Sequence, residues 1–371
     1  MADTANDPVK EKQVSTTISN FDKLFGWTAC IILLLKKGIL IMKVCVLGGT
    51  GNISTSIVRL LNEVGHEVTV FNRGLRQAPP PGVKTISGDR RNYAEFEQTM
   101  RKCSFDAVID MICFNAEDAD SAIRAFGNVK HYVFCSTVCV YGVQYDWLPV
   151  TEDHPLRPIS DYGRNKAAAE RVFLAAHYDR GFPVTIIRPS TTYGPLFTML
   201  RQIAWETGWV DRVRKGKPIA VCGDGRALHQ WLHVDDAAPA FVFVLSRERC
   251  LGQTYNMMRR EFGTWADYHR TAMQVIGREV EMVGVPLAAL LAAKVPNVAV
   301  CRDIFSYNTI YNPEKLMRDV PEFHPAISLE DGLSGVYEAM IRENKLPDSD
   351  RESWEDRLID AQKEVGKLDL S

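Results

Sequence analysis

From Lys43 onward, short runs of β-branched and aliphatic residues alternate with stretches whose apolar positions recur every three or four residues. The short runs predict strands at 43–47, 67–71, 83–86, 107–110, 132–135 and 184–187. The longer stretches predict helices at 52–64, 93–102, 116–126 and 162–178. The strand runs are nearly continuous in apolar residues rather than alternating, as expected when helices cover both faces of a parallel sheet. In such sheets ligands bind beyond the carboxyl ends of the strands.

The rhythm changes after Arg188. Residues 189–195 are turn-rich, and later segments are longer and more aromatic. A helix at 231–245 and a strand at 253–256 read as the completion of the first unit. The chain thus divides into residues 42–189 plus 230–256 as a dinucleotide-binding domain, and 190–229 plus 257–371 as a smaller lobe over the site. Residues 348–370 are strongly charged and read as an exposed helix with a solvated face. Residues 1–41 differ from the rest: a polar stretch, then a six-residue apolar run, CIILLL, stopped by Lys36 and Lys37. That run is far short of the roughly 20 residues that span a bilayer, and the polar leader argues against a signal peptide. Met42 is the more natural start of the domain, with the extension peripheral.

Composition narrows the class. An apolar content of 46% supports a large core, and a net charge of −2 gives no electrostatic reason to expect nucleic acid or an anionic membrane as partner. Nine cysteines without a CxxC pair fit reduced thiols in a cytoplasmic protein.

Two segments carry chemistry. The first, VCVLGGTGNIS at 44–54, is a strand, a glycine turn and a helix start. Gly48 and Gly51 let the backbone turn tightly and approach a pyrophosphate, which free N–H groups at Asn52 and Ile53 would meet. Ser54 stands where a third glycine is usual and is small enough for helix–strand contact. At the end of the second strand, where a carboxylate ordinarily accepts ribose hydroxyls, the chain has Asn72 followed by Arg73. Exchanging the negative charge for a guanidinium favours a 2′-phosphate, so NADP is expected ahead of NAD. Asp89, with Arg90 beside it, is a further cofactor candidate; its carboxylate either accepts from the adenine amino group or stabilises the turn.

The second is YGRNK at 162–166. Tyr162 and Lys166, four apart, share a helical face. A free phenol, with its pKa near 10, is a poor base at neutral pH. A neighbouring ammonium and a positively charged nicotinamide would both favour the phenolate. Thr137, at the end of the fifth strand, is placed to hydrogen-bond a substrate oxygen.

Together GGTGNIS, GDRRN, STVCVYG, YGRNK, RPSTTYGP and GDGRALHQWLHVDD resemble the extended short-chain dehydrogenase/reductase superfamily, in particular its nucleotide-sugar epimerase/dehydratase group, over about residues 42–340. The resemblance implies a Rossmann-type doubly wound sheet and a homodimer. It makes Tyr162 the catalytic base, Lys166 the residue that orients the nicotinamide ribose and lowers the tyrosine pKa, and Thr137 the catalytic hydroxyl, with Ser136 adjacent. Departures from the family pattern narrow the reaction. The Asp-Glu pair of dehydratases is replaced by Val138 and Cys139, which leaves hydride transfer at a carbinol as epimerase or reductase. Thr191 replaces an asparagine of the substrate site, and His229 replaces an arginine that clamps a nucleotide diphosphate. Ser136, Thr191 and His229 are therefore the substrate-binding candidates, for a sugar or sugar-like molecule. The segments at 72–74 and 88–91 also resemble an atypical chloroplast RNA-binding branch. His233, Asp235 and Asp236 are expected to cap a helix or pack between lobes.

Overall fold

A computed structural model describes residues 40–75 and 79–365 of the chain, so the expectations for the N-terminal extension lie outside the described residues. Seven strands form one parallel sheet: β1 (Lys43–Leu47), β2 (Glu67–Asn72), β3 (Lys84–Ser87), β4 (Ala107–Asp110), β5 (His131–Cys135), β6 (Val184–Pro189) and β7 (Thr254–Met257). Their order across the sheet is β7-β6-β5-β4-β1-β2-β3. The order reverses at β1, which pairs with β2 on one side and β4 on the other. That reversal opens a crevice at the carboxyl ends of the strands, the place where open α/β sheets bind ligands.

Five helices cover the two faces: α1 (Asn52–Val64), α2 (Tyr93–Arg101), α3 (Ala116–Ala125), α4 (Asp161–Arg180) and α5 (Val234–Phe243). On one face, Ile57 and Leu61 of α1 and Phe241 of α5 bury against Val44, Val46 and Ile109. On the other, Phe96, Ile123 and Phe173 of α2, α3 and α4 pack on Cys45, Val108 and Phe134. Coverage of both faces accounts for the continuous apolar runs of the strands. Two helix ends are punctuated by glycine in the left-handed region, Gly65 after α1 (φ 101°) and Gly181 after α4 (φ 74°), a conformation that side chains resist.

The chain beyond β6 builds a second core around Trp209, Trp231, Trp265, Tyr268 and Phe305. Two stretches depart from expectation. Helix Glu314–Asp319 returns to the main sheet, where Leu316, Val320 and Phe323 join the core beneath α1 and α5. The charged C-terminal segment is not merely solvated: helix Trp354–Val365 docks through Ile359 and through Glu355, which is buried in ion pairs with Arg201 and Arg212. Pairing of distant charges leaves no trace in hydrophobic periodicity, which is why the sequence suggested a solvated face.

Candidate active site

The glycine turn closes the crevice at β1. Gly48 has φ +80°, and a Cβ there would come 2.4 Å from Ile112 Cγ2; a Cβ on Gly49 would come 2.5 Å from Val70 Cγ1. Neither position admits a larger residue. Ser54 does more than replace a small residue. Its hydroxyl accepts from the Gly51 N–H at 2.7 Å and donates to the Gly48 carbonyl at 2.6 Å, which ties the turn to the first turn of α1. The next residue, Asn52, is buried, and its carboxamide nitrogen and oxygen have no hydrogen-bond partner. Buried polar groups are nearly always paired, and the first N–H groups of a helix also lack acceptors within it. A turn with no room for side chains, a helix start and an unsatisfied amide fit the pyrophosphate of a dinucleotide.

At the adenosine end the expected residues behave differently from one another. Asn72 accepts from the Gly74 N–H at 2.8 Å and so shapes the turn that presents the exposed Arg73. Asp89 is exposed and accepts the Arg91 N–H at 2.9 Å, the turn-stabilising role. Arg90 must be corrected. It is buried and donates to Asp110 at 2.6 Å and to the Asp118 carbonyl at 2.6 Å, so its guanidinium is turned into the protein. Asp110 also accepts from the Tyr132 hydroxyl and from the Ile112 N–H at 2.9 Å. The carboxylate at the end of β4 is thus fully committed to holding the loop that follows it.

Thr137, Tyr162 and Lys166 come together at the ends of β4 and β5. Ser160 caps α4 by accepting the Gly163 N–H at 3.1 Å, and Gly163 is required because a Cβ would lie 2.5 Å from the Cys139 carbonyl. This close approach sets the start of α4 against the single 3-10 turn Val138–Tyr141, which Thr137 caps by accepting the Cys139 N–H at 3.2 Å. Lys166 is 1% exposed and donates to the carbonyls of Cys113 and Cys135, each at 2.7 Å. Its ammonium lies 5.0 Å from the ring centres of Phe114 and Phe134 and 5.8 Å from that of Tyr162. Tyr162 keeps 46% of its surface open to the cleft.

The protein groups around the Tyr162 phenol favour its protonated form. Desolvation pushes its pKa above the ordinary value, Cys135 and Cys139 push the same way, and only a hydrogen bond with Thr137 opposes them. At neutral pH Tyr162 therefore holds its proton. Lys166 spends two of its hydrogen bonds on backbone carbonyls.

Two of the three substrate candidates are also corrected. Ser136 is buried and donates to Glu170 Oε1 at 2.5 Å, so its hydroxyl faces the protein. His229 is 2% exposed; one ring nitrogen meets the Thr191 hydroxyl at 2.6 Å and the other the Thr309 hydroxyl at 2.7 Å. Trp231, Trp265 and Phe305 surround it with ring centres 5.1 to 5.5 Å away. Burial lowers its pKa to about 3, so it is neutral and offers no charge to a phosphate. Thr191 remains half-buried at the carboxyl edge of the sheet, on the strand Thr191–Tyr193 that continues from β6. His233 and Asp236 have the capping and packing roles expected: His233 accepts the Asp235 N–H at 3.2 Å, and Asp236 accepts from Ala326 and Ile327 at 3.2 and 3.0 Å.

Residues 44–257 match the model of the NAD dependent epimerase/dehydratase family. The chain belongs to that family. Among characterised relatives, 2'-dehydrokanamycin reductase of Streptomyces kanamyceticus is 28% identical over 313 residues, covering 83% of this chain and 87% of that one. The chloroplast stem-loop binding protein of 41 kDa b of Arabidopsis thaliana is 30% identical, covering 60% of each chain. The UDP-glucose 4-epimerase of Lactobacillus helveticus is 30% identical, over 50% of this chain and 62% of the relative. In fold the epimerase/dehydratase chain resembles dTDP-glucose 4,6-dehydratase of Bacillus anthracis, crystallised with NAD, with a TM-score of 0.66 at 21% identity over 82% of this chain and 98% of the other. The family is described as NAD dependent, and the sheet is of the Rossmann type. Among the described residues no helix is long and apolar enough to cross a membrane, and no cluster of side chains could hold a metal ion.

Proposed function

We propose that the chain is an NAD(P)-dependent oxidoreductase that transfers hydride at the carbinol or ketone of a sugar or sugar-like substrate, and that it works as a reductase without a nucleotide diphosphate on that substrate. The observation that carries this reading is the meeting of Tyr162, Thr137 and Lys166 at the strand ends beside the glycine turn, with Tyr162 partly exposed. A dinucleotide held at the glycine turn would supply the hydride. Thr137 and Tyr162 hold the carbonyl oxygen between two hydroxyls, and the phenol gives its proton to that oxygen as it becomes an alcohol. An ammonium has three N–H donors; Lys166 uses two on Cys113 and Cys135, and the third would hold the ribose on the nicotinamide side.

A permanent fork donor is the usual partner of a diphosphate. His229, neutral and enclosed, provides none, which favours a reductase of a non-nucleotide carbonyl over a nucleotide-sugar epimerase. A relative that covers 83% of this chain is named 2'-dehydrokanamycin reductase, in keeping with that preference. Arg73, exposed at the end of β2, pairs with the 2′-phosphate of NADP.

The test is Tyr162→Phe assayed for consumption of reduced cofactor against a panel of keto-sugars and keto-cyclitols. Cofactor binding by fluorescence should persist while turnover falls by about a thousandfold or more. Turnover at the wild-type rate would reject the site. Salt-sensitive RNA retention with no cofactor bound would instead place the chain with its stem-loop binding relative.

A further inference from the structure

The sheet fixes the strand ends by backbone hydrogen bonds, but α4 rests on it largely through apolar side chains such as Ala169 and Phe173. Apolar contact is non-directional. It sets how far α4 stands from the sheet, not where the helix sits along its own axis, and that second coordinate decides whether Tyr162 meets Thr137.

Lys166 gives one directional tie, to the Cys113 and Cys135 carbonyls, and a second buried polar network lies one turn further along the helix. Glu170 lies one turn beyond Lys166 on α4 and is 1% exposed; Arg188 on β6 is 3% exposed. Arg188 grips the carboxylate with both arms, Nε to Oε1 at 2.9 Å and Nη2 to Oε2 at 2.6 Å. The same carboxylate accepts from Ser136 at 2.5 Å, and Ser136 immediately precedes Thr137. The other guanidinium nitrogen donates to the Tyr141 hydroxyl at 2.6 Å, and Tyr141 closes the 3-10 turn that Thr137 opens. Tyr141 donates onward to Asn256 of β7 at 2.7 Å. The network therefore grips Thr137 from the residue before it and from the turn after it, and ties both to the helix that carries Tyr162 and Lys166.

We propose that Glu170 and Arg188 are positioning residues: their paired charges fix the register of the Tyr162 helix against Thr137 and so set the proton-transfer geometry. Neither touches the substrate. A bidentate guanidinium–carboxylate pair is directional in a way apolar packing is not, and misplacing a reacting group by about 1 Å costs about a hundredfold in rate. This rests on the reading of Tyr162 as proton donor given above.

The experiment compares Glu170→Gln, Arg188→Lys and the doubly neutral Glu170→Gln/Arg188→Met in the carbonyl-reduction assay, with Tyr162→Phe alongside. The double variant leaves no unpaired buried charge, so it decides the matter where a single variant fails to fold. Expected is a fall in kcat of about 10- to 100-fold, with KM and the cofactor dissociation constant within about twofold of wild type. The alkaline limb of the pH–rate profile should also move to higher pH, because the Thr137 hydroxyl no longer favours the phenolate. A folded variant with a lowered melting temperature but wild-type kcat and an unmoved limb would overturn the proposal and leave these residues as scaffold. If Tyr162→Phe is itself active, the reading of the site falls and the positioning role falls with it. If Tyr162→Phe is inactive and the network variants are normal, only the positioning role falls.

Discussion

The enclosure of His229 has a consequence that can be measured without knowing the substrate. The ring is 2% exposed, both nitrogens are held by threonine hydroxyls, and burial lowers its pKa from 6.5 to about 3. Unfolded, the same side chain takes up a proton near 6.5. For a base whose folded pKa is depressed, the contribution to stability is fully present above 6.5. It is lost as the pH falls below 6.5, because the unfolded state binds the proton that the folded state refuses. Between pH 7 and pH 5 that one group removes about 1.9 kcal/mol, and any folded value below about 4 gives nearly the same figure. His229→Gln can still bridge Thr191 and Thr309 but cannot titrate. Urea unfolding of both proteins at pH 7 and pH 5 should show the wild type losing about 1.9 kcal/mol more than the variant. Carboxylates elsewhere affect both proteins equally and cancel. A pH-independent difference, constant to within about 0.3 kcal/mol, would mean that His229 charges in the folded protein. A cation would then be available to hold a diphosphate, and the argument for a non-nucleotide substrate would be wrong.

Three further outcomes follow from individual contacts. Ser54→Gly removes both hydrogen bonds that tie Gly48 to Gly51; cofactor affinity, read by fluorescence, should weaken by about 5- to 30-fold, equivalent to about 1–2 kcal/mol, and unchanged affinity would show that the turn holds itself. Glu355→Ala takes one of two carboxylate partners from each of the buried Arg201 and Arg212, which keep Glu206 and Asp356, so urea or thermal unfolding should report a loss of about 1.5–3 kcal/mol, whereas a loss under about 0.5 kcal/mol would mean the C-terminal helix only covers them. Arg73→Ala should weaken NADPH about tenfold in direct titration while leaving NADH nearly unaffected; equal effects on the two would deny Arg73 a role in choosing the cofactor.

The sheet was readable from the sequence because burial on both faces writes itself into each strand as an unbroken apolar run. Of the site, the parts set by local geometry were readable as well: a glycine turn between strand and helix, and a phenol and an amine one helical turn apart. What stayed hidden depends on partners distant in the chain. Arg90 looks like a ligand beside Gly88 and Asp89, but its role is decided by Asp110 and Asp118. Ser136 looks like a substrate-binding hydroxyl until Glu170, 34 residues on, accepts its hydrogen bond. Nor does the spacing of Tyr162 and Lys166, which places them on one face, show that two carbonyls occupy the ammonium. A signal did exist for Glu170: it extends the Tyr162–Lys166 spacing by one more turn and is a carboxylate on a helix otherwise rich in alanine there.

Incubating the protein with reduced cofactor deuterated at the transferring position of the nicotinamide, together with keto-sugars, tests hydride transfer most directly. The account predicts deuterium on the carbinol carbon of the product, one reduced cofactor consumed per product formed, and neither with Tyr162→Phe. Product formed without consumption of the reduced cofactor, or label transfer that persists in Tyr162→Phe, would contradict it.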